Sequence, residues 1–255
     1  MIFAIDVGNT NIVVGCIDDT GVCFIERIST NTKQTEMEYA IRLKSVLELH
    51  EVAYERIEGC IISSVVPQLT DLIRKAVDKL LHVPIKIVGP GLKTGLNIRI
   101  DDPATLGSDL LVDSVAALAE HPVPMIIIDM GTATTFCVIN EKKQYIGGLV
   151  VPGVKTSLQS LVTNTSLLQH ISLQPPKKII GSNTMDAMRG GIIYGNASMV
   201  DGMIDRISEE LGAKCTLIAT GGLAGDIIPY CKHDIIIDDN LLLKGLKIIY
   251  EKNRR

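Results

Sequence analysis

No run within the 255 residues approaches the length of a membrane span. The opening carries no basic stretch, and Asp6 interrupts its apolar start, which argues against a signal peptide. The protein is therefore expected in the cytoplasm, with no membrane partner. Positive charge is not in excess either. A formal net charge of −4 argues against a broad nucleic-acid surface, and the basic stretch Lys252 to Arg255 reads as a solvated helix end. The six cysteines contain no C-x-x-C pair and no histidine at metal spacing. Cys16, Cys60, Cys137 and Cys215 lie in or beside apolar strand-like runs and read as small buried thiols. The five histidines are scattered singly and none acquires a role. Two nucleotide signatures are also missing. There is no G-x-x-x-x-G-K-[ST], and Gly89-Pro90-Gly91-Leu92-Lys93-Thr94-Gly95 lacks the spacing of a dinucleotide fingerprint. With 46% apolar and 21% charged residues the chain is not disordered, and its length allows one large or two small domains.

What the chain does contain is a repeat. Ile5-Asp6-Val7-Gly8-Asn9-Thr10-Asn11 is echoed by Ile128-Asp129-Met130-Gly131-Thr132-Ala133-Thr134, with Asp and Gly in register. Each copy lies between two apolar runs, the pattern of a strand, a tight turn and a returning strand. Gly8 permits close approach of a ligand to the backbone. Asn9, Thr10 and Asn11 supply donors for a phosphate, and Asp6 lies where it could hold a hydrated cation. A single copy would read as an ordinary hairpin turn. Two copies, each heading a three-strand unit, favour a clamp for a polyphosphate and its cation.

The surrounding pattern is β-β-β-α-β-α-β, twice. Strands are expected at 1–6, 11–17, 22–29, 59–66 and 84–88, and helices at 35–50, 67–81 and 105–120. Pro67 sits near the first turn of its helix. The second half offers strands at 125–129, 134–140, 145–151, 216–219 and 235–237, a long helix from about Thr184 to Leu211, and a closing helix at 240–252. A duplicated α/β architecture follows, with helices packed on mixed sheets. The border falls near Pro122 to Pro124, giving domains 1–122 and 123–255, with the final helix free to cross back. The segment 93–103 reads as an irregular loop reaching toward a cleft. Met185, Met188, Met199 and Met203 on the long helix fit either a core seam or a subunit interface.

Asp109 is the best candidate for a catalytic base. It stands near the start of a helix, where acidic residues also serve the helix dipole. Asp113 lies one turn later on the same face. Two nearby carboxylates raise each other's pKa, which suits proton abstraction from an alcohol, although Asp113 also fits a solvated position.

The ordered set Asp6-Val7-Gly8-Asn9-Thr10-Asn11, Gly107-Ser108-Asp109, Asp129-Met130-Gly131-Thr132-Ala133-Thr134 and Gly147-Gly148-Leu149-Val150-Val151-Pro152-Gly153 closely resembles type III pantothenate kinases. These belong to the acetate and sugar kinase/Hsp70/actin superfamily. The likeness runs on through Gly181-Ser182-Asn183-Thr184 and Thr220-Gly221-Gly222. It implies two ribonuclease H-like domains in an actin-like ATPase fold, and phosphorylation of pantothenate by ATP with Mg2+ in coenzyme A biosynthesis. By the same resemblance Asp6, Val7, Gly8, Asn9, Thr10, Asn11, Ile12 and Val13 form the ATP phosphate loop, and Thr132 also contacts ATP. Asp109 accepts the substrate proton, with Gly107 and Ser108 beside the pantothenate. Asp129 ligates K+ or NH4+, and Thr184 contacts substrate across a homodimer interface, which favours the interface reading of the methionine helix. Two positions depart from the family pattern: Leu110 replaces an arginine and Ile100 an aromatic residue. Losing a guanidinium removes a charge and several donors, for which Arg99 or Lys93 are the available substitutes. A kinase for a related small alcohol and a non-catalytic nucleotide-binding regulator are the competing readings.

Overall fold

The computed structural model describes residues 1–254, so Arg255, the last of the basic stretch, lies outside the described residues. In chain order the elements are β1 (Ile2–Val7), β2 (Asn11–Asp18), β3 (Gly21–Ser29), α1 (Glu36–Leu49), β4 (Gly59–Ser64), α2 (Pro67–Leu81), β5 (Ile85–Ile87), β6 (Asn97–Ile98) and α3 (Ser108–Glu120). They continue with β7 (Met125–Met130), β8 (Ala133–Ile139), β9 (Gln144–Pro152), α4 (Val154–Thr163), α5 (Thr184–Leu211), β10 (Thr216–Thr220), α6 (Ala224–Ile227), β11 (Ile236–Ile237) and α7 (Leu241–Lys252).

Two compact units result. The first comprises Met1–Leu96, Asp102–Ala119 and the segment from Asn240 onward; the second comprises Asn97–Asp101 and Glu120–Asp239. Relative to blocks 1–122 and 123–255, the border itself moves to Ala119/Glu120 and two further pieces change sides. Helix α7 joins the first unit because Leu243, Leu246, Ile249 and Tyr250 form a buried apolar face against Ile2, Ala4, Ile17 and Ile61. Residues 97–101 join the second because β6 pairs with β9, Asn97 opposite Gln144 and Ile98 opposite Tyr145. The sequence reads this segment as a loop, since two residues are too few to show a period.

The first sheet has the order β3-β2-β1-β4-β5, with β1, β2 and β3 antiparallel and β4 and β5 parallel to β1. The second repeats it as β9-β8-β7-β10-β11, with the same senses, and adds β6 beyond β9. Both are mixed sheets with flanking helices, as the duplicated α/β expectation requires.

Local chemistry explains the helices. Thr35 caps α1 by accepting from the Glu38 amide, while the Glu38 carboxylate accepts from the Thr35 amide at 2.7 Å, a complete capping box. Pro67 opens α2, and His82 ends it in the left-handed conformation at φ 47°. Tyr39, Leu43 and Leu47 of α1 and Leu69, Ile73 and Val77 of α2 then bury their shared apolar face in the first core. In the second unit α5 supplies Met188, Ile192, Ile193, Val200 and Ile204 to the core. Met199 and Met203 pack against that core, so three of the four methionines on α5 make a core seam, while Met185 is 48% exposed.

Cys16, Cys60, Cys137 and Cys215 are buried, as expected. Burial pushes the Cys16 thiol up to about 12 and the Cys60 thiol upward as well, so neither is a ready nucleophile. Among the described residues no helix is long and apolar enough to cross a membrane.

Candidate active site

In the first unit, the turn between β1 and β2 is built to present donors. Gly8 N–H donates to the Asn11 carbonyl at 3.0 Å, which closes the turn over Asn9 and Thr10. Thr30, the residue after β3, straps it from below: its amide donates to the Thr10 carbonyl at 3.0 Å and its hydroxyl to the Gly8 carbonyl at 2.7 Å. Two carbonyls that would repel an anion are thereby turned inward, while Asn9, Thr10 and Asn11 are exposed. A Cβ on Gly8 would lie 2.9 Å from the Asn11 carbonyl, so the tight closure requires glycine there. Val7, Ile12 and the strand backbone of Val13 are structural members of the hairpin; Val7 and Ile12 are fully buried. Asp6 is 8% exposed, at the carboxyl end of β1, paired with Val13 on one side and Ser63 on the other. The donor set fits phosphate oxygens, and a carboxylate at that depth fits a hard, hydrated cation.

The same strand end receives α3. In the parallel β1–β4 register, Asp6 lies opposite Ser63 and Val7 opposite Ser64. Ser63 Oγ donates to Ser108 Oγ at 3.0 Å, and the Ser64 amide donates to the same oxygen at 3.1 Å. The first turn of α3 is thus pinned to β4, one strand away from the phosphate turn. Asp109 follows, half-buried, with its carboxylate folded back to accept from the Leu110 amide at 2.8 Å. Gly107 makes room for it, since a Cβ there would stand 2.5 Å from Asp109 Oδ1. Burial raises the Asp109 pKa above the ordinary carboxylate range, against a lowering pull from backbone hydrogen bonds. Asp113 is only 3% exposed, so it is a core-facing residue of α3 and not a solvated one.

In the second unit the corresponding turn is shorter. Met130 pairs with Thr134, leaving three residues between them, whereas Val7 pairs with Ile12 across four. Gly131 N–H donates to the Ala133 carbonyl at 2.9 Å. The Thr132 carbonyl accepts from the Gly153 amide at 3.1 Å and from the Thr156 hydroxyl at 2.7 Å, which ties the turn to the start of α4. Thr132 itself is exposed. Asp129 is half-buried, flanked in register by Thr135 and Thr220. Gly221 closes on it at φ +93°, where a Cβ would meet Asp129 Oδ1 at 2.3 Å and the Met130 nitrogen at 2.6 Å. Gly221 thus packs where no other residue fits, and the oxygen-bearing side chains flanking Asp129 suit a cation with oxygen ligands.

Thr184 is the first residue of α5, exposed, behind an Asn183 cap whose side chain accepts from the Asp186 amide at 2.9 Å. It belongs to the second unit with Thr132, Asp129 and Ile100, whereas Asp6–Val13, Gly107, Ser108, Asp109 and Leu110 belong to the first. Within the first unit the structure brings the phosphate turn and the Gly107–Asp109 segment to adjacent strand ends.

A family model described as type III pantothenate kinase matches residues 2–206. The chain belongs to the type III pantothenate kinase family. Type III pantothenate kinases from Halalkalibacterium halodurans and Geobacillus sp. (strain WCH70) are 43% and 44% identical to it, each over 253 residues. The alignments cover 99% of this chain in both cases, and 100% and 98% of those relatives. Among solved structures, component A of (R)-2-hydroxyglutaryl-CoA dehydratase from Acidaminococcus fermentans superimposes with a TM-score of 0.55 at 14% identity. That superposition covers 100% of both chains. The ethanolamine utilization protein EutJ from Carboxydothermus hydrogenoformans gives 0.53 at 13%, over 97% of this chain and 88% of that one. These likenesses concern the fold alone.

Family motifs locate the pantothenate kinase turns, but not what holds them. Thr30, Ser63, Ser64 and Thr156 carry no motif, and they enter the site through strand pairing and side-chain hydrogen bonds.

Proposed function

We propose that this chain transfers the γ-phosphoryl group of ATP to pantothenate, giving 4′-phosphopantothenate in the first step of coenzyme A biosynthesis. We place the reaction in the cytoplasm and assign it to a homodimer. The observation that carries the reading is Asp109, a half-buried carboxylate of raised pKa anchored beside the phosphate turn, in a chain of this family.

ATP with Mg2+ supplies the phosphoryl group and the divalent charge that offsets its negative charge. The exposed donors of Asn9, Thr10 and Asn11 bind phosphate oxygens, and Asp6 holds the hydrated ion. Asp129 would hold K+ or NH4+, and Thr132 would contact the nucleotide. Gly107 and Ser108 orient the pantothenate so that its hydroxyl faces Asp109. Phosphoryl transfer asks mainly for positioning, and Asp109 takes the hydroxyl proton as the bond to phosphorus forms. A raised pKa makes it a better proton acceptor. Thr184 reaches substrate in the dimer; exposed Ile179, Ile180 and Met185, beside it in the chain, support an apolar contact with a second copy.

One observation favours a second reading within the same chemistry. Leu110, half-buried directly after Asp109, lacks the guanidinium that the family pattern carries, which fits an acceptor alcohol with less negative charge.

Purified protein assayed with Mg-ATP and pantothenate, with and without K+ or NH4+, tests the first reading. Cation-dependent product formation is expected, and Asp109→Asn is expected to lower kcat by about 10²–10⁴. ATP binding without pantothenate turnover would sink it and promote the related alcohols.

A further inference from the structure

We propose that Ser63 is a positioning residue for Asp109, acting through Ser108 to hold the first turn of α3 at the carboxyl ends of β1 and β4. The inference rests on Asp109 being the base, as read above. Ser63 has 0% of its surface exposed, and it lies in the sheet directly beside Asp6. A hydroxyl shut away from water bonds within the protein, and this one donates to Ser108 Oγ at 3.0 Å.

Ser108 is where the effect converges. A serine oxygen has two lone pairs, and donors from two successive residues of β4, the Ser63 hydroxyl and the Ser64 amide, fill them. Ser108 is therefore fixed in direction as well as in distance, and Asp109 is its chain neighbour. On the opposite side the Asp109 carboxylate is folded over Gly107 and onto the Leu110 amide. Loosening Ser108 frees the turn that keeps this carboxylate half-buried. Thr70 of α2 joins the same group of hydroxyls, but it donates to Ser64 Oγ at 2.9 Å and not to Ser108. It lies off the path and serves as the control.

The test compares wild type, Ser63→Ala, Ser63→Thr and Thr70→Val by carbon-13 NMR titration of the Asp109 carboxyl and by kcat and KM, with thermal unfolding to confirm folding. Ser63→Ala is expected to lower kcat about tenfold, the effect of one lost hydrogen bond, with KM for ATP unchanged within about twofold. The Asp109 titration is expected to move down toward the ordinary carboxylate range as burial is lost. Ser63→Thr keeps the hydroxyl and restores most of both; Thr70→Val moves neither. If Ser63→Ala does not fold, Ser63→Cys, which keeps the side-chain volume but only a weak donor, carries the same expectations in direction. A folded variant with kcat and titration unmoved, or an equal effect from Thr70→Val, overturns the proposal. Wild-type protein that fails to turn over pantothenate overturns the proposed function instead, and the titration still reads the effect of Ser63.

Discussion

Three residues, Gly8, Asn9 and Thr10, bridge β1 and β2, whereas Gly131 and Thr132 alone bridge β7 and β8. The flanking scaffold is otherwise the same in kind. Each turn follows a buried strand, each has at least one carbonyl tied down by residues that follow the third strand, and each Asp sits one residue before its strand ends. The extra residue lets the first turn close on itself and expose three donor side chains. The second turn is shorter, and Gly221 packs closely against its carboxylate. The difference teaches that a repeated sequence motif fixes the strand–turn–strand frame, while a single inserted residue and the neighbouring glycine decide which groups each copy presents.

Gly221→Ala should have the largest effect. A Cβ at φ +93° is strained, and here it would also collide with Asp129 and Met130. A loss of about 3 kcal/mol is expected. Chemical denaturation measures it, and a stability within error of wild type would show that the second turn does not need that space.

The equivalent glycines of the two turns provide a sharper contrast. At Gly8 a Cβ meets the Asn11 carbonyl at 2.9 Å, while at Gly131 the nearest atom is 3.6 Å away. Gly8→Ala should cost about 1–2 kcal/mol and raise the KM for ATP, whereas Gly131→Ala should stay within about 0.5 kcal/mol of wild type. Equal costs at both positions would erase the asymmetry argued above.

The smallest effect concerns Asp109, which belongs to neither turn. Its folded pKa lies above the unfolded value, so its stabilising contribution is present below the unfolded pKa and is lost as pH rises through the folded one. Asp109→Asn should therefore raise the Tm by about 2 °C near neutral pH, with the gain shrinking toward about pH 4. A Tm difference independent of pH would mean that burial does not set this group's titration.

Much of this was legible in the sequence wherever punctuation is local. Pro67 and the αL residue His82 bound α2 at Pro67–Leu81, and the Asn183 cap and Gly212 bound α5 at Thr184–Leu211, as the periodicity predicts. The two Asp-x-Gly turns were legible because they repeat. Helix α4 went unread, since its ten residues follow a Gly-rich strand end without a capping side chain. Strand β6 went unread because its pairing is with a strand more than forty residues later. Asp113 also fitted a solvated position in the sequence, but the packing of α3, which periodicity alone does not resolve, buries it. Ser63 was invisible for a further reason: its role comes from a cross-strand register and a hydroxyl contact, neither of which leaves a motif.

The return of α7 to the first unit also has a consequence during synthesis. A nascent chain that has emerged through Asp239 carries every residue of the second unit, but the first still lacks the helix that covers Ile2, Ala4, Ile17 and Ile61. The half made first is thus completed after the second, and its β1 face remains open to water or to chaperones until α7 has left the ribosome.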